Sequence, residues 1–317
     1  MFKKIVSQIE KYDSIIICGH INPDGDCYGA QVGLREVINY LYPEKKVYLA
    51  GTGIPKFFNL LSPMDEISDE MFKESLVIIV DANDIPRLED QRSKTAKAFA
   101  KIDHHIDTGT FTEGPSIVVV DSNSTCDIIA GMAIELGVNL TNKGATALYL
   151  GILTDSARFQ FVTDFDTTFD RAKYLISHGA DTKAINRILA VTDERTLAAK
   201  GYILSHYQKR DGVIYIVFDK ETLHKIQLSA NSASSMINLL GNVEGYPIWA
   251  SFAEYDDGKV RVEFRSNGPA IQPCALRIGG GGHAQASGAQ LPQLDLKQID
   301  AIVDDLVNTL HEWRKEH

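Results

Sequence analysis

The densest run of reactive side chains is ICGHINPDGDCYGA, residues 17–30. A turn accounts for Asn22 to Gly25, because Pro fixes φ and Gly supplies positive φ. It does not account for His20 or for the second carboxylate, Asp26. Three more sites of this kind follow. Asp81 closes LVIIVD, Asp103-His104-His105 closes AFAKIDHH, and Asp155 lies in GILTDSARF. Each alone has a plain structural explanation, as a helix cap or a polar strand end. In this order and number they point to one centre. Buried carboxylates are costly unless paired or metal-bound. Asp24, Asp26, Asp81 and Asp155 bring four negative charges, and within the stretches that carry these four Arg158 is the single cationic residue. Two divalent cations balance that charge, with His20 and His104 as neutral nitrogen donors. A mixed Asp/His set suits manganese, iron or cobalt better than calcium. Two such ions bridged by one carboxylate activate a water and clamp a phosphoryl oxygen.

The elements that must position these residues alternate between strand and helix. SIIICGH and KKVYLAG are strand-like, with YGAQVGLREVINYLY at helical periodicity between them. SLVIIVDAND, AFAKIDHH and PSIVVVDSNST are apolar runs ending in acidic or polar residues, and CDIIAGMAIELG and NKGATALYLGILTDSA read as helices, the first closing at Gly137. This pattern predicts an α/β fold with a mostly parallel sheet and helices on both faces. Ligands then sit at the carboxyl ends of the strands.

A continuous helical stretch is expected over residues 183–210, and from VIYIVFD onward the texture changes to paired strands, with Asp257-Gly258 as a hairpin turn. The expected division is a first domain over 1–190, a helical linker over 191–212 and a smaller α/β domain over 213–317. The second domain holds RIGGGGHAQASGA, read as a loop. Its glycines allow backbone N–H groups close to an anion, with His283 beside them and Arg265 offering a guanidinium fork. Trp249 and Phe252 read as packing residues.

With 317 residues, 44% hydrophobic and 23% charged, the chain has core material for two soluble domains. No apolar run approaches the ~20 residues of a membrane span. The first residues, MFKKIVSQIEKYDS, lack an apolar signal core, and the four scattered cysteines form no C-x-x-C pair. A cytoplasmic protein with reduced thiols is expected. A net charge of −10 argues against duplex nucleic acid as partner but not against a small anion. A homodimer is left open.

These motifs resemble the DHH phosphoesterase superfamily, through H-x-x-P-D-G-D at residues 20–26, V-D at 80–81, D-H-H at 103–105 and T-D at 154–155. FRS at 264–266 and GGGGHAQASG at 279–288 resemble its branch with a DHH-associated domain. Length and motif order look most like the NrnA-type oligoribonucleases that also dephosphorylate pAp. Cyclic-dinucleotide phosphodiesterases share every motif and are the alternative. Inorganic pyrophosphatases share only the N-terminal set.

The resemblance implies that His20 and Asp24 hold one metal, that Asp26, His104 and Asp155 hold the other, and that Asp81 bridges both. Mn²⁺ is the expected ion. It further implies that His105 contacts the scissile phosphate, that Asp103 orients the histidine pair, and that Arg265, Ser266, Gly280, Gly281, Gly282 and His283 bind substrate across an interdomain cleft. The expected substrates are very short oligoribonucleotides, dinucleotides and pAp. Two positions depart from the pattern: Ala30 replaces a frequent Ser, and Thr108 a frequent Asn.

Overall fold

The computed structural model describes residues 1–106 and 111–316; Thr108 lies outside them. The chain forms two compact units, Met1–Val191 and Thr192–His317.

The first unit runs α1 (Lys3–Glu10), β1 (Ser14–Cys18), α2 (Gly25–Leu41), β2 (Lys46–Ala50), α3 (Asp69–Glu74), β3 (Leu76–Val80), β4 (Ala98–Asp103) and β5 (Ser116–Val118). Four helices follow: α4 (Thr125–Glu135), α5 (Asn142–Asp155), α6 (Phe165–Ser177) and α7 (Thr182–Ala190). The sheet order is β2-β1-β3-β4-β5, and every pairing is parallel. Its central strands are continuous apolar runs because both faces are covered. Ile15, Ile17 and Ile78 join the core made with α2, α4 and α5, while Ile16, Val77 and Ile79 meet Phe72 and Leu88 on the other side.

Parallel pairing puts every carboxyl end on one edge. After β2 the chain crosses β1 to form β3, so the order reverses between β1 and β3. That reversal leaves a crevice at the strand ends, the usual ligand position in such sheets. Gly137, with φ +65°, closes α4 as the sequence predicts.

The second unit has α8 (Glu194–His206), β6 (Gln208–Arg210), β7 (Val213–Phe218), α9 (Lys220–Lys225), α10 (Ala230–Ser235), β8 (Ile248–Glu254), β9 (Val260–Ser266), α11 (Gln272–Arg277), β10 (Gly281–His283), β11 (Ala286–Leu291) and α12 (Leu296–Glu316). Its sheet order is β10-β11-β9-β8-β7-β6, with only β7–β8 parallel. Trp249 and Phe252 are buried in it.

Three local readings change. The helical stretch over 183–210 is two helices, because Asp193 turns extended and caps α8 through the Thr196 N–H. Residues 208–210 form an edge strand, since Asp211 and Gly212 both take positive φ and turn the chain back onto β7. Part of the glycine run, Gly281–His283, pairs with β11 instead of forming a loop. A Cβ at Gly280 would lie 2.1 Å from the Gly288 carbonyl, so only glycine permits that approach. Helix α8, in the segment read as a linker, places Ala199 and Ile203 in a core cluster of the second unit. Among the described residues no helix is long and apolar enough to cross a membrane.

Candidate active site

The loop after β1 carries His20 toward Asp81, which follows the adjacent strand β3. Nε2 of His20 lies 3.3 Å from Asp81 Oδ2 and 3.8 Å from Asp24 Oδ1. Asp24 is the N-cap of α2, accepting from the N–H groups of Asp26 and Cys27 at 3.0 Å. Asp81 is buried and sits at φ +57°, a left-handed conformation that costs energy outside glycine. Its N–H donates to the Ile102 carbonyl at 3.1 Å, which ties this turn to β4.

On the other side of Asp81 stands His104. Its Nε2 is 3.5 Å from Asp81 Oδ1, 3.5 Å from Asp155 Oδ2 and 3.9 Å from Asp26 Oδ2. Asp26 is fully enclosed and accepts from the N–H groups of Thr125 and Cys126, at 2.7 and 2.9 Å, in the first turn of α4. A helix N-terminus favours a carboxylate there. Close packing of α2 on α5 brings Asp155 alongside. Cβ atoms at Gly25 and Gly151 would lie 2.3 Å from Thr154 Oγ1 and 2.2 Å from Cys126 Sγ, so glycine at both positions permits the approach.

Asp103 ends β4 beneath the histidine pair. Its Oδ1 accepts from the His104 N–H at 2.9 Å, the His105 N–H at 3.2 Å and His105 Nδ1 at 2.9 Å. With its amide nitrogen turned inward, Asn83 donates to Oδ2 at 3.1 Å.

The donor set fits metal ions. His20 Nδ1 faces the Ile21 carbonyl at 3.0 Å and His104 Nδ1 faces the Ser122 carbonyl at 3.3 Å. Only an N–H is favourable opposite a carbonyl, so in each neutral ring the lone pair belongs to Nε2. Both lone pairs then point at carboxylates, an arrangement that requires a cation or a proton between. The titration follows the same logic. Burial lowers the His104 pKa, but the Asp81 hydrogen bond and the Asp26 and Asp155 charges outweigh it and hold the ring at about 9. Hydrogen bonds donated to Asp24 and Asp81 raise His20 strongly. Burial, with the Asp81 and Asp155 charges, pushes Asp26 well above the usual carboxylate range, and burial lifts Asp155 to about 6. Burial opposes ionisation of Asp81, yet the His104 and His20 hydrogen bonds hold it far below the usual range.

The sequence reading missed several participants. Cys27 offers its sulfur within 4.8 Å of ligand atoms of His20 and Asp81, and burial pushes this thiol up to about 11. Thr125 and Cys126 act through backbone N–H groups, for which Ser124 as N-cap of α4 is the only sequence signal. Asn22, Asn83 and Arg87 line the same cavity as His20, Asp24, Asp81 and His105, about 520 Å³ in volume. Ala30 is fully buried in the core and offers no substrate contact.

In the second unit, His283, Ala286 and Arg265 stand in one row across β10, β11 and β9 and therefore share a face. Arg265 Nη1 donates to Glu263 Oε2 at 2.9 Å and to the Phe264 carbonyl at 2.8 Å. Gly280 and Gly282 sit close against β11, with Gly282 at φ +132°. Ser266 is on the opposite, buried face of β9, its hydroxyl donating to the Pro269 carbonyl at 2.5 Å. It is not brought to the face of Arg265.

Comparison with known proteins agrees with this layout. The DHH family N-terminal domain matches residues 14–152 and the DHHA1 domain matches residues 210–312. The bifunctional oligoribonuclease and PAP phosphatase NrnA of Bacillus subtilis (strain 168) is 33% identical over 314 residues, covering 96% of this chain and 97% of its own. The NrnA of Streptococcus mutans, named a probable enzyme of the same kind, is 33% identical over 310 residues, covering 98% of this chain and 99% of its own. A crystal structure of an exopolyphosphatase-related protein from Bacteroides fragilis has a TM-score of 0.81, covers 98% of this chain and 95% of its own, and at 21% identity speaks for the fold alone. The two domain matches and 33% identity over nearly the full length of the two NrnA relatives, with the strand-end His and Asp motifs and the glycine-rich strand in place, mean that the chain belongs to the DHH family and carries a DHHA1 domain.

Proposed function

We propose that this protein is a two-metal phosphoesterase that hydrolyses very short oligoribonucleotides to 5′-mononucleotides and converts pAp to AMP. The observation that carries the reading is the pair of imidazole Nε2 atoms directed at opposite oxygens of Asp81, 3.3 and 3.5 Å away. The likeness to the two NrnA relatives supplies the substrate class.

In this reading His20 and Asp24 would hold one ion, Asp26, His104 and Asp155 would hold the other, and Asp81 would serve both. Manganese suits this oxygen and imidazole set. When bound, the ions supply Lewis acidity toward water and the phosphoryl oxygens. The chain's own groups do the rest. His105 donates Nδ1–H to Asp103, and that hydrogen bond raises its pKa, which favours the form that can donate a proton from Nε2 to a phosphoryl or leaving oxygen. Arg265 and His283 bind a second phosphate of the substrate, with Gly280, Gly281 and Gly282 allowing close approach and Ser266 supporting the turn behind Arg265. In this reading the first unit carries the catalytic centre and the second binds the remainder of the substrate. A cytoplasmic location suits four buried, unbridged cysteines.

The test is a substrate panel with manganese-loaded protein: pAp, a dinucleotide, a cyclic dinucleotide and pyrophosphate. Cleavage of the first two above the others is expected. Turnover confined to pyrophosphate, or to the cyclic dinucleotide, would overturn the reading.

A further inference from the structure

Arg87 stands on the wall of the carboxylate-rich cavity with no side-chain partner among the described residues. It lines that space together with Asp24, Asp81 and His105. Elsewhere in the first unit Arg35, Arg92 and Arg171 each pair with a carboxylate, while Arg158 and Arg187, which also form no ion pair among the described residues, do not line this cavity. The Arg87 guanidinium makes no hydrogen bond or ion pair among the described residues. Its backbone, by contrast, is held from both sides. Ile21 N–H donates to the Arg87 carbonyl and Glu89 N–H to the Gly19 carbonyl, both at 3.0 Å, and His20 and Leu88 form an antiparallel bridge. Pro86 stiffens the turn before it, and Leu88 anchors the turn after it in the core. The loop that carries His20 therefore carries Arg87 in fixed register beside it.

An exposed guanidinium that lines this cavity from a rigidly held backbone, with no carboxylate at ion-pair distance among the described residues, is available to a ligand anion. Its planar fork matches phosphate oxygens bidentately. We propose that Arg87 is a catalytic residue that grips the phosphoryl group under attack. This deepens the phosphoesterase reading and rests on it. Because Arg87 shares its cavity with Asp81 and His105, the group it meets is the one those residues serve, whatever the rest of the substrate. Its effect is then the same for a monoester and a diester. Charge that builds on phosphoryl oxygens in the transition state strengthens the contact, so its loss appears in kcat.

The experiment compares manganese-loaded wild type with Arg87→Ala and Arg87→Lys. Turnover is measured on pAp and on a dinucleotide, and inorganic phosphate binding by calorimetry. Arg87→Ala is expected to lose about 100-fold in kcat on both substrates and to bind phosphate about tenfold more weakly. Added guanidinium should restore part of the turnover, and Arg87→Lys should remain well below wild type because it lacks the fork. Metal content and melting temperature should not change, since the side chain has no partner to lose among the described residues. Unchanged kcat and phosphate affinity in Arg87→Ala would overturn the proposal while leaving the phosphoesterase reading intact. A rise in KM alone, or a loss on one substrate only, would assign Arg87 to a remote part of the substrate and equally overturn it. A wild type that neither cleaves these substrates nor binds phosphate would remove both readings together.

Discussion

Asp103 holds His105 at two points: one carboxylate oxygen accepts both its backbone N–H, at 3.2 Å, and its ring Nδ1, at 2.9 Å. The ring can therefore neither swing away nor turn over without breaking a charge-assisted bond. Asp103→Asn should lower kcat about 10- to 100-fold, the scale of a misplaced proton donor, with both metals retained. The same change removes the main cause of the raised His105 pKa. The alkaline limb of the pH–rate profile should thus move to lower pH. An unshifted limb would mean that His105 is not the acid.

Variants of Asp81, His104 and His105 should separate metal binding from chemistry. Asp81→Ala should abolish turnover and deplete both ions, because its two oxygens face different sides of the centre. His104→Ala should lose one ion, whereas His105→Ala should keep both and lose turnover. Elemental analysis of the purified variants decides. Loss of an ion from His105→Ala with both kept in His104→Ala would reverse these roles.

If Arg265 grips a substrate phosphate, it should govern how length is selected. Its hydrogen bonds among the described residues all leave from Nη1, so Nε and Nη2 remain for a phosphate. A phosphate gripped there is fixed relative to its own scissile bond, and the acidic surface gives a long strand no electrostatic track. Dinucleotides and trinucleotides should be cleaved far faster than a 20-mer. A charge-assisted contact contributes about 1.5–3 kcal/mol, so Arg265→Ala should lose roughly ten- to a hundred-fold in kcat/KM on short substrates and keep its metals. Equal rates at every length would remove the second domain from this role.

Metal and protons compete for one site, and the sign follows from the shifts. His104 in the metal-free fold titrates at about 9, against ~6.5 for an unfolded imidazole. Its contribution to stability is full below the unfolded value and is lost as pH rises to 9. Asp155, raised to about 6, costs stability in the same direction between about 4 and 6. The melting temperature of metal-free protein should therefore fall from pH 6 to pH 9. Manganese should restore it, with the widest gap at the alkaline end. Calorimetric titration in two buffers at pH 7 should show proton release on metal uptake. A melting temperature that rises with pH without metal would contradict this account.

How much of the site is legible without coordinates depends on how local each cause is. His20, Asp81 and the Asp103–His105 run each follow a short apolar strand, so chain order alone placed them at strand ends and predicted a parallel α/β sheet. The turn at Asp257-Gly258 and the closure at Gly137 are equally local, because they depend on glycine at one backbone conformation. The continuous helix over 183–210 failed because propensity cannot register Asp193 leaving the helix to cap the next one. Ser266 illustrates a different limit. Alternation along β9 puts residues 265 and 266 on opposite faces, but only packing decides which face is covered. Tertiary structure alone decided that Asp26 would meet the N–H groups of Thr125 and Cys126, about a hundred residues away, and that Asp81 would turn left-handed to show its oxygens to two histidines. It alone set Arg87 beside the His20 loop through bonds between separate strand ends. Such contacts form when helices and strands pack, and residue type and spacing carry no record of them.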